Sequence, residues 1–394
     1  MTTQLAESQF SKTLFESYDR YKFNDISSRR FKHAELLKHL ETLKKSLGDI
    51  VTIEQIGSSV ENRSINLLKL GTGKTKIFMW SQMHGDEPTA TMGLLDLLNY
   101  ISLYKNSSEI KKILSETTLL ILPMLNPDGA ERFQRRTSQG IDMNRDALRL
   151  QTPEARILKA TRDRFNPEIG FNLHDQDPRY SVGDKGTVAV ISLLAPAYNV
   201  EKSDNVVRTR AKKIASELTL VLQQFVHNHI AKYDDTFEPR AFGDNIQKWG
   251  TSVVLIESGG WNNDNEKMFI RKLNCVGLLS VVHSIATRAY EKTSVEVYEN
   301  IPMNTKNLFD IIIEQATITF ADGRPSVIAD IAINYEEVID PVGAVWKGRV
   351  VDIGDLSVFS ANEKWNGAGK SIDASLVEMN DIVSIEELKN IFQK

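Results

Sequence analysis

Apolar positions along the chain follow two different periods, and the switches between them predict the order of elements. In "SSRRFKHAELLKHLETLKKSL" (27–47) Leu and Ala recur at helical spacing with charges between, which predicts an amphipathic helix. "VTIEQIGSSVENRSINLLKLGTGKTKIFMW" (51–80) reads as short β-type runs broken by Gly, Ser and Asn. "TATMGLLDLLNYISLY" (89–104) returns to the helical period. Compact apolar runs ending in polar residues follow at 117–125, 168–174, 187–195 and 251–258, with long helical patterns at 201–232 and 263–292. Buried strands alternating with helices are the signature of an α/β sheet. Beyond about residue 305 the pattern changes: "ATITFADGRPSVIADIAINYEEV" sets an Asp-Gly turn between β-rich runs, and no long helix is predicted before "SIEELKNIF". Residues 1–300 are therefore expected to form an α/β domain with an N-terminal helical extension, and 305–394 a small β-rich domain.

Bulk properties narrow the picture. A chain of 394 residues is long for one core, which agrees with a large domain plus a smaller one. Net charge of −4 and a pI near 6.1 leave no basic footprint, so nucleic acid is not expected as a partner. The N-terminus has no basic region followed by an apolar core, and no stretch approaches the roughly 20 apolar residues that span a bilayer. A cytoplasmic protein without a membrane partner is the expectation. The single cysteine, Cys275, lies in the apolar helical pattern "RKLNCVGLLSVV" and reads as a buried structural thiol. "GTGKT" (71–75) invites a phosphate-loop reading, but the leading glycine would fall at Leu68, so a hairpin turn is expected instead.

Of seven histidines, five fall in predicted helices: His33 and His39 in the first, His227 and His229 closing the 201–232 pattern, and His283 in the last. The remaining two, His84 and His174, end apolar runs, and Glu87 follows His84 in "HGDE". Asn126 and Glu257 end two further runs. Ligand sites in α/β sheets gather beyond the carboxyl ends of strands. The His-x-x-Glu spacing alone recurs by chance, but two His and one carboxylate with an open fourth position make a catalytic zinc set. One Zn2+ per chain on His84, Glu87 and His174 is the expectation.

Five segments then occur in one order: "HGDE" (84–87), "NPDG" (126–129), "RRTSQGIDMNRD" (135–146), "NLHDQ" (172–176) and "LIESG" (255–259). In these the chain resembles the zinc carboxypeptidase family, the carboxypeptidase A-like metallopeptidases, over roughly residues 50–290. The resemblance implies an eight-stranded mixed sheet flanked by helices. It implies that Arg135, by its spacing from "GIDMNR", stabilises the oxyanion, with the neighbouring Arg136 as a rival. Asn144 and Arg145 would hold the substrate's terminal carboxylate, and Asp142 would orient the first zinc histidine. Zinc makes water a nucleophile near neutral pH, and Glu257, ending an apolar strand, is suited to take that water's proton.

The chain also departs from the family pattern. No tyrosine stands where the family's mobile, substrate-closing one is expected; Tyr233 lies further back, and Arg240 and Trp249 are nearby substitutes. Asp244, in the region of the specificity pocket, either favours a basic side chain or caps a turn. Asp175 follows His174 where the family has a small residue. The tail, from "LFDIIIEQ" to "KSIDAS", resembles the small β-sandwich domain of metal-dependent amidohydrolases, but no histidine follows His283, so it is expected to be an accessory domain without metal.

The expected function is a zinc-dependent metallocarboxypeptidase that removes the C-terminal residue of a peptide or peptide-like substrate. An N-acyl amino acid deacylase of the same fold and an inactive zinc-containing peptide-binding module are the alternatives.

Overall fold

Six of the nine strands between residues 51 and 258 are almost wholly buried, as their unbroken apolar runs require. The computed structural model of the chain describes residues 2–340 and 343–393. Its strands are β1 (Val51–Ser58), β2 (Ser64–Leu70), β3 (Thr75–Ser81), β4 (Thr117–Leu122), β5 (Ile169–Asp175), β6 (Ser181–Val182), β7 (Ile191–Leu194), β8 (Ile230–Lys232) and β9 (Ser252–Ser258). Eight of them build one mixed sheet in the order β1-β2-β4-β3-β5-β9-β7-β8. The central strands β4, β3, β5 and β9 are parallel, while β1, β2 and β4 run antiparallel to their neighbours in turn, and β7 is antiparallel to β9. This is the α/β fold with an eight-stranded mixed sheet that the family resemblance implied.

The helices of this part are α1 (Thr2–Glu16), α2 (His33–Leu47), α3 (Thr89–Leu103), α4 (Ser108–Glu116), α5 (Pro127–Arg132), α6 (Pro153–Phe165), α7 (Val206–Gln223), α8 (Phe242–Lys248), α9 (Met268–Thr287) and α10 (Glu296–Glu299). Several starts are written in the sequence. Ser107, Thr152 and Asn205 each accept the backbone N–H three residues on, at Ile110, Ala155 and Arg208. Helix α2 buries one leucine stripe, Leu36, Leu40, Leu43 and Leu47. Helix α9 is apolar all round and packs against α1, α3, α4 and α7. By length and composition it is also long and apolar enough to cross a membrane, which corrects the reading that no such stretch exists; 78% of that window is buried inside the protein, as a core helix requires.

Two other expectations change. The "GTGKT" turn does not close a hairpin, because β4 lies between β2 and β3. Gly73 there donates to Thr117 O, and a Cβ on it would sit 1.8 Å from the Glu116 carbonyl carbon, so close backbone approach explains the glycine. The helical pattern at 201–232 stops at Gln223, and Ile230–Lys232 forms edge strand β8, so His227 and His229 lie in the connection rather than on a helix.

Internal contacts divide the chain into two units, residues 1–178 with 189–304, and residues 179–188 with 305–394. The second unit is the β-rich one: β11 (Leu308–Thr319), β12 (Val327–Asp340), β13 (Gly343–Gly354), β14 (Ser360–Asn366), β15 (Ser371–Asp373), β16 (Ile382–Val383) and helix α11 (Ile385–Phe392), preceded by the short strand β10 (Asn304–Thr305), which pairs with β6. Ile311, Ile313, Ile331, Ile333, Val350 and Trp365 fill its core. Residues 179–188 are an excursion that belongs to this unit. Arg179 donates to Asp310 Oδ2 at 3.2 Å, Ser181 Oγ meets Thr305 Oγ1 at 2.9 Å, and a Cβ on Gly186 would collide with Ser360 Oγ.

Candidate metal centre

The polar ends of three central strands meet at one edge of the first unit's sheet. Strand β3 ends at Ser81, and the chain turns through Gln82, at a left-handed φ of +50°, into His84. Glu87 N–H donates to His84 O at 3.2 Å, closing the turn just before α3. His174 is the penultimate residue of β5, and its β9 partner in register is Glu257. The register alone therefore sets a histidine beside a glutamate on one sheet face.

The two glycines of "HGDE" and "NPDG" explain how the next segment reaches this edge. A Cβ on Gly85 would lie 2.0 Å from Gly129 C, so the two turns touch backbone to backbone. "NPDG" itself is a helix start: Asn126 accepts from Gly129 N at 2.9 Å, and Pro127 takes the first helical position. Asp128, buried, accepts from Ser59 Oγ at 2.6 Å, Glu61 N at 3.0 Å and Arg63 at 2.7 Å. The motif thus anchors the 127–145 segment beside His84.

His84 Nδ1 and His174 Nδ1 lie 2.8 Å from Glu87 Oε1 and Oε2 respectively, and 3.2 Å from each other. Two donors bound to one tetrahedral ion at about 2.0–2.1 Å stand about 3.3 Å apart, so the pair of nitrogens has the spacing of ligands in one coordination sphere. One donor atom from each of the three residues lies within 4.8 Å of the others, and all three side chains are buried. His84 Nε2 meets Asp142 Oδ1 at 3.2 Å, an arrangement that directs Nδ1 toward the shared point. The donor set fits zinc.

The charges gathered at this point shift one another's protonation. Burial would lower the His84 pKa, but the Glu87 carboxylate and then Asp142 prevail and hold it up at about 9. Glu87 is held below the usual carboxylate range: burial opposes, and the two histidines outweigh it. Glu257 goes the other way, pushed well up by burial and then by the Glu87 charge. Its Oε2 is buried and has no hydrogen-bond partner, so the carboxyl is poised to exchange a proton with a small molecule at this edge.

Arg135 faces the cluster. Its Nη1 donates to Glu87 Oε1 at 3.1 Å and its Nε to Asp142 Oδ2 at 3.1 Å, whereas Arg136 turns away to the Gly140 carbonyl. Asn144 Oδ1 accepts from Phe242 N at 2.9 Å. Arg145, 40% exposed, donates to Asn144 O at 2.8 Å and stands 3.5 Å from Glu238 Oε2. Asp244 accepts from Glu238 N at 3.0 Å, so it closes a turn, and burial pushes its carboxyl up to about 6. Of the residues considered for the missing tyrosine's role, Arg240 is ion-paired with Glu238, and Trp249 lies against the core under Lys159.

Two residues that the sequence did not bring forward, Thr89 and Lys267, hold this edge together with Asp175. Asp175 accepts from Thr89 Oγ1 at 2.5 Å and from Lys267 Nζ at 3.2 Å, and Lys267 also donates to Ser258 O at 3.0 Å. The only available signal was the acidic residue directly after His174. Lys267 sits in a polar turn with no motif around it.

Residues 36–168 match the family model described as zinc carboxypeptidase. Over 163 residues the chain is 29% identical to a probable carboxypeptidase 2 of Arthroderma benhamiae, a match that covers 41% of this chain and 29% of that relative. It is 30% identical over 115 residues to carboxypeptidase M of Mus musculus, covering 27% of this chain and 26% of the other. The chain thus spans less than a third of these relatives' length. Among solved structures, a metallo-carboxypeptidase from Burkholderia cenocepacia superposes with a TM-score of 0.53 at 16% identity, over 66% of this chain and 70% of that one. Carboxypeptidase A from Helicoverpa armigera gives 0.51 at 15% identity, over 71% and 80%. At such identities the structural likeness speaks for the fold alone.

Proposed function

We propose, from the premise that this chain belongs through residues 36–168 to the zinc carboxypeptidase family, that it is a zinc-dependent metallocarboxypeptidase hydrolysing the C-terminal bond of peptides or peptide-like substrates. The observation that carries the reading is the convergence of His84, Glu87 and His174 on one point beside the buried, unpartnered Oε2 of Glu257. These three residues would hold one zinc ion per chain. When bound, zinc supplies the Lewis acidity that makes water a nucleophile near neutral pH.

The rest is work for the chain's own side chains. Glu257 takes the proton of the attacking water at its free oxygen and returns it to the departing amine. Arg135, the fixed cation nearest the cluster, stabilises the negative charge that develops on the carbonyl oxygen. Arg145, with Asn144 beside it, receives the terminal carboxylate; a guanidinium fork suits that anion. Glu238 near Arg145 keeps the guanidinium oriented when no substrate is present.

The test compares one peptide with a free C-terminus and the same peptide amidated, using zinc-replete protein. A charge-assisted contact contributes about 1.5–3 kcal/mol, so kcat/KM should drop by roughly 10- to 150-fold on amidation. Arg145→Ala should erase most of that preference. Equal cleavage of both peptides, or internal cuts made first, would refute the carboxypeptidase reading. Binding without any cleavage would favour a peptide-binding module.

A further inference from the structure

The last rung between β5 and β9 pairs Asp175 with Ser258, the residues that follow His174 and Glu257. One further backbone bond, from Gln176 N–H to Ser258 O at 3.0 Å, follows this rung before β9 runs into Gly259 and Gly260. One buried ammonium closes it. Lys267, 7% exposed, donates from Nζ to Asp175 Oδ2 at 3.2 Å, to Ser258 O at 3.0 Å and to Gln176 O at 3.5 Å. An ammonium has three protons, and each has an acceptor here.

Both partners are themselves fixed. Lys267 adopts a left-handed φ of +57° immediately before α9. Its N–H donates to Asp264 O at 2.8 Å, while Asp264 Oδ2 caps the helix at Phe269 N and Ile270 N. From the next turn of α9, Asn274 Nδ2 donates to Ser258 Oγ at 2.9 Å. On the other side, Asp175 N–H donates to Glu87 Oε2 at 3.3 Å, and its carboxylate accepts from Thr89 Oγ1, two residues after Glu87. The segments that carry Glu87, His174 and Glu257 therefore meet around this one contact.

We infer that Lys267, through its ion pair with Asp175 and its hydrogen bond to the Ser258 carbonyl, is a positioning residue that fixes His174 and Glu257 relative to Glu87. The inference rests on the metallopeptidase reading for its kinetic consequence but not for its geometric one. Without the ammonium, Asp175 is a buried carboxylate beside Glu87 with no counter-charge, and the Ser258 carbonyl keeps only the Gln176 N–H as a donor. The loops after His174 and Glu257 must then rearrange. A displacement of about 1 Å in such a constellation costs on the order of 100-fold in rate.

The experiment compares Lys267→Met, Lys267→Arg and Asp175→Asn with wild type, and uses Lys272→Met as a control. Lys272, in the first turn and a half of α9, places its ammonium over the ring of Phe15 in α1. Each purified protein is loaded with cobalt(II), whose visible bands report ligand geometry, and its metal affinity is measured against a chelator. Zinc-loaded protein is assayed for kcat and KM on a free-acid peptide, and the melting temperature is recorded. Lys267→Met should shift the cobalt bands and lower kcat at least 10-fold with KM within about threefold. Asp175→Asn, which keeps an acceptor but removes the charge, should fall between Lys267→Met and wild type. Lys267→Arg should restore most of the spectrum, and Lys272→Met should match wild type throughout.

A lowered melting temperature with unchanged cobalt bands and unchanged kcat would overturn the inference and leave a purely structural ion pair. If Lys267→Met does not fold, Asp175→Asn and Lys267→Arg carry the same comparison. If wild type cleaves no peptide, the functional reading fails, while the cobalt spectra still decide the positioning role.

Discussion

The buried pair Asp96–Arg271 joins the two helices whose N-termini reach the metal edge, and removing one partner should be costly. Asp96 is 0% exposed and Arg271 2%. The guanidinium grips both carboxylate oxygens at 2.7 Å and also donates to the carbonyls of Ile26 and Phe23 at 2.7 and 2.9 Å. Asp96 further accepts from Tyr18 OH at 2.5 Å and Phe23 N at 2.8 Å. Arg271→Met leaves a buried carboxylate with two neutral donors and no counter-charge, and strips donors from two carbonyls. Breaking a buried pair in this way costs about 3–5 kcal/mol, whereas replacing both partners by apolar residues is often much milder. Arg271→Met alone should therefore lose about 3–5 kcal/mol, and Asp96→Leu/Arg271→Met should recover at least about 2 kcal/mol relative to the sum of the single changes. Urea unfolding followed by circular dichroism at helical wavelengths reads the correct unit, since the second unit contributes only the short α11 among the α-helices described. A loss below about 1 kcal/mol for Arg271→Met, or strict additivity in the double variant, would refute this account of the clamp.

Three further outcomes are expected. His174→Ala should lose most of its bound zinc by metal analysis while keeping its circular dichroism spectrum; unchanged zinc would mean that the ligands lie elsewhere. Glu257→Gln should retain zinc but lose at least 10²–10⁴-fold in turnover, and a variant within about tenfold of wild type would show that the proton goes elsewhere. Asp244→Asn should alter the pH dependence of stability. Burial pushes the Asp244 carboxyl from 3.8 up to about 6, so between those values the folded chain keeps a proton that the unfolded chain has released. Its contribution is present below about 4 and lost as pH rises through about 6. The advantage of Asp244→Asn over wild type should therefore grow across that window, to about 1–3 kcal/mol at pH 7; a difference that stays flat with pH would contradict the assignment.

What could be read from the sequence followed from how local the signal was. His84, His174 and Glu257 stood out because each ends an apolar run, and the ends of parallel strands share an edge by construction. Spacing from "GIDMNR" favours Arg135 over its neighbour Arg136, but that one side chain faces Glu87 and the other Gly140 is visible only in three dimensions. Strand β8 was hidden within a helical pattern because three residues at a sheet edge carry almost no periodicity of their own. Lys267 and Asp175 lie 92 residues apart, with no spacing rule to connect them. The excursion 179–188 reads as a polar loop after β5, and its membership of the β-rich unit depends on residues more than a hundred positions further on.

That excursion has a consequence for how the chain acquires its structure. On a ribosome, β5 and His174 emerge early, followed directly by residues 179–188, whose partners Thr305, Asp310 and Ser360 do not yet exist. At ordinary elongation rates the wait is on the order of ten seconds. Throughout it, the segment between β5 and β7 has no fold to join, although the sheet on either side of it can already assemble. Contacts of such sequence separation form late and slowly. During refolding, amide-exchange protection of the β6–β10 pairing should therefore appear only after the helical dichroism has recovered.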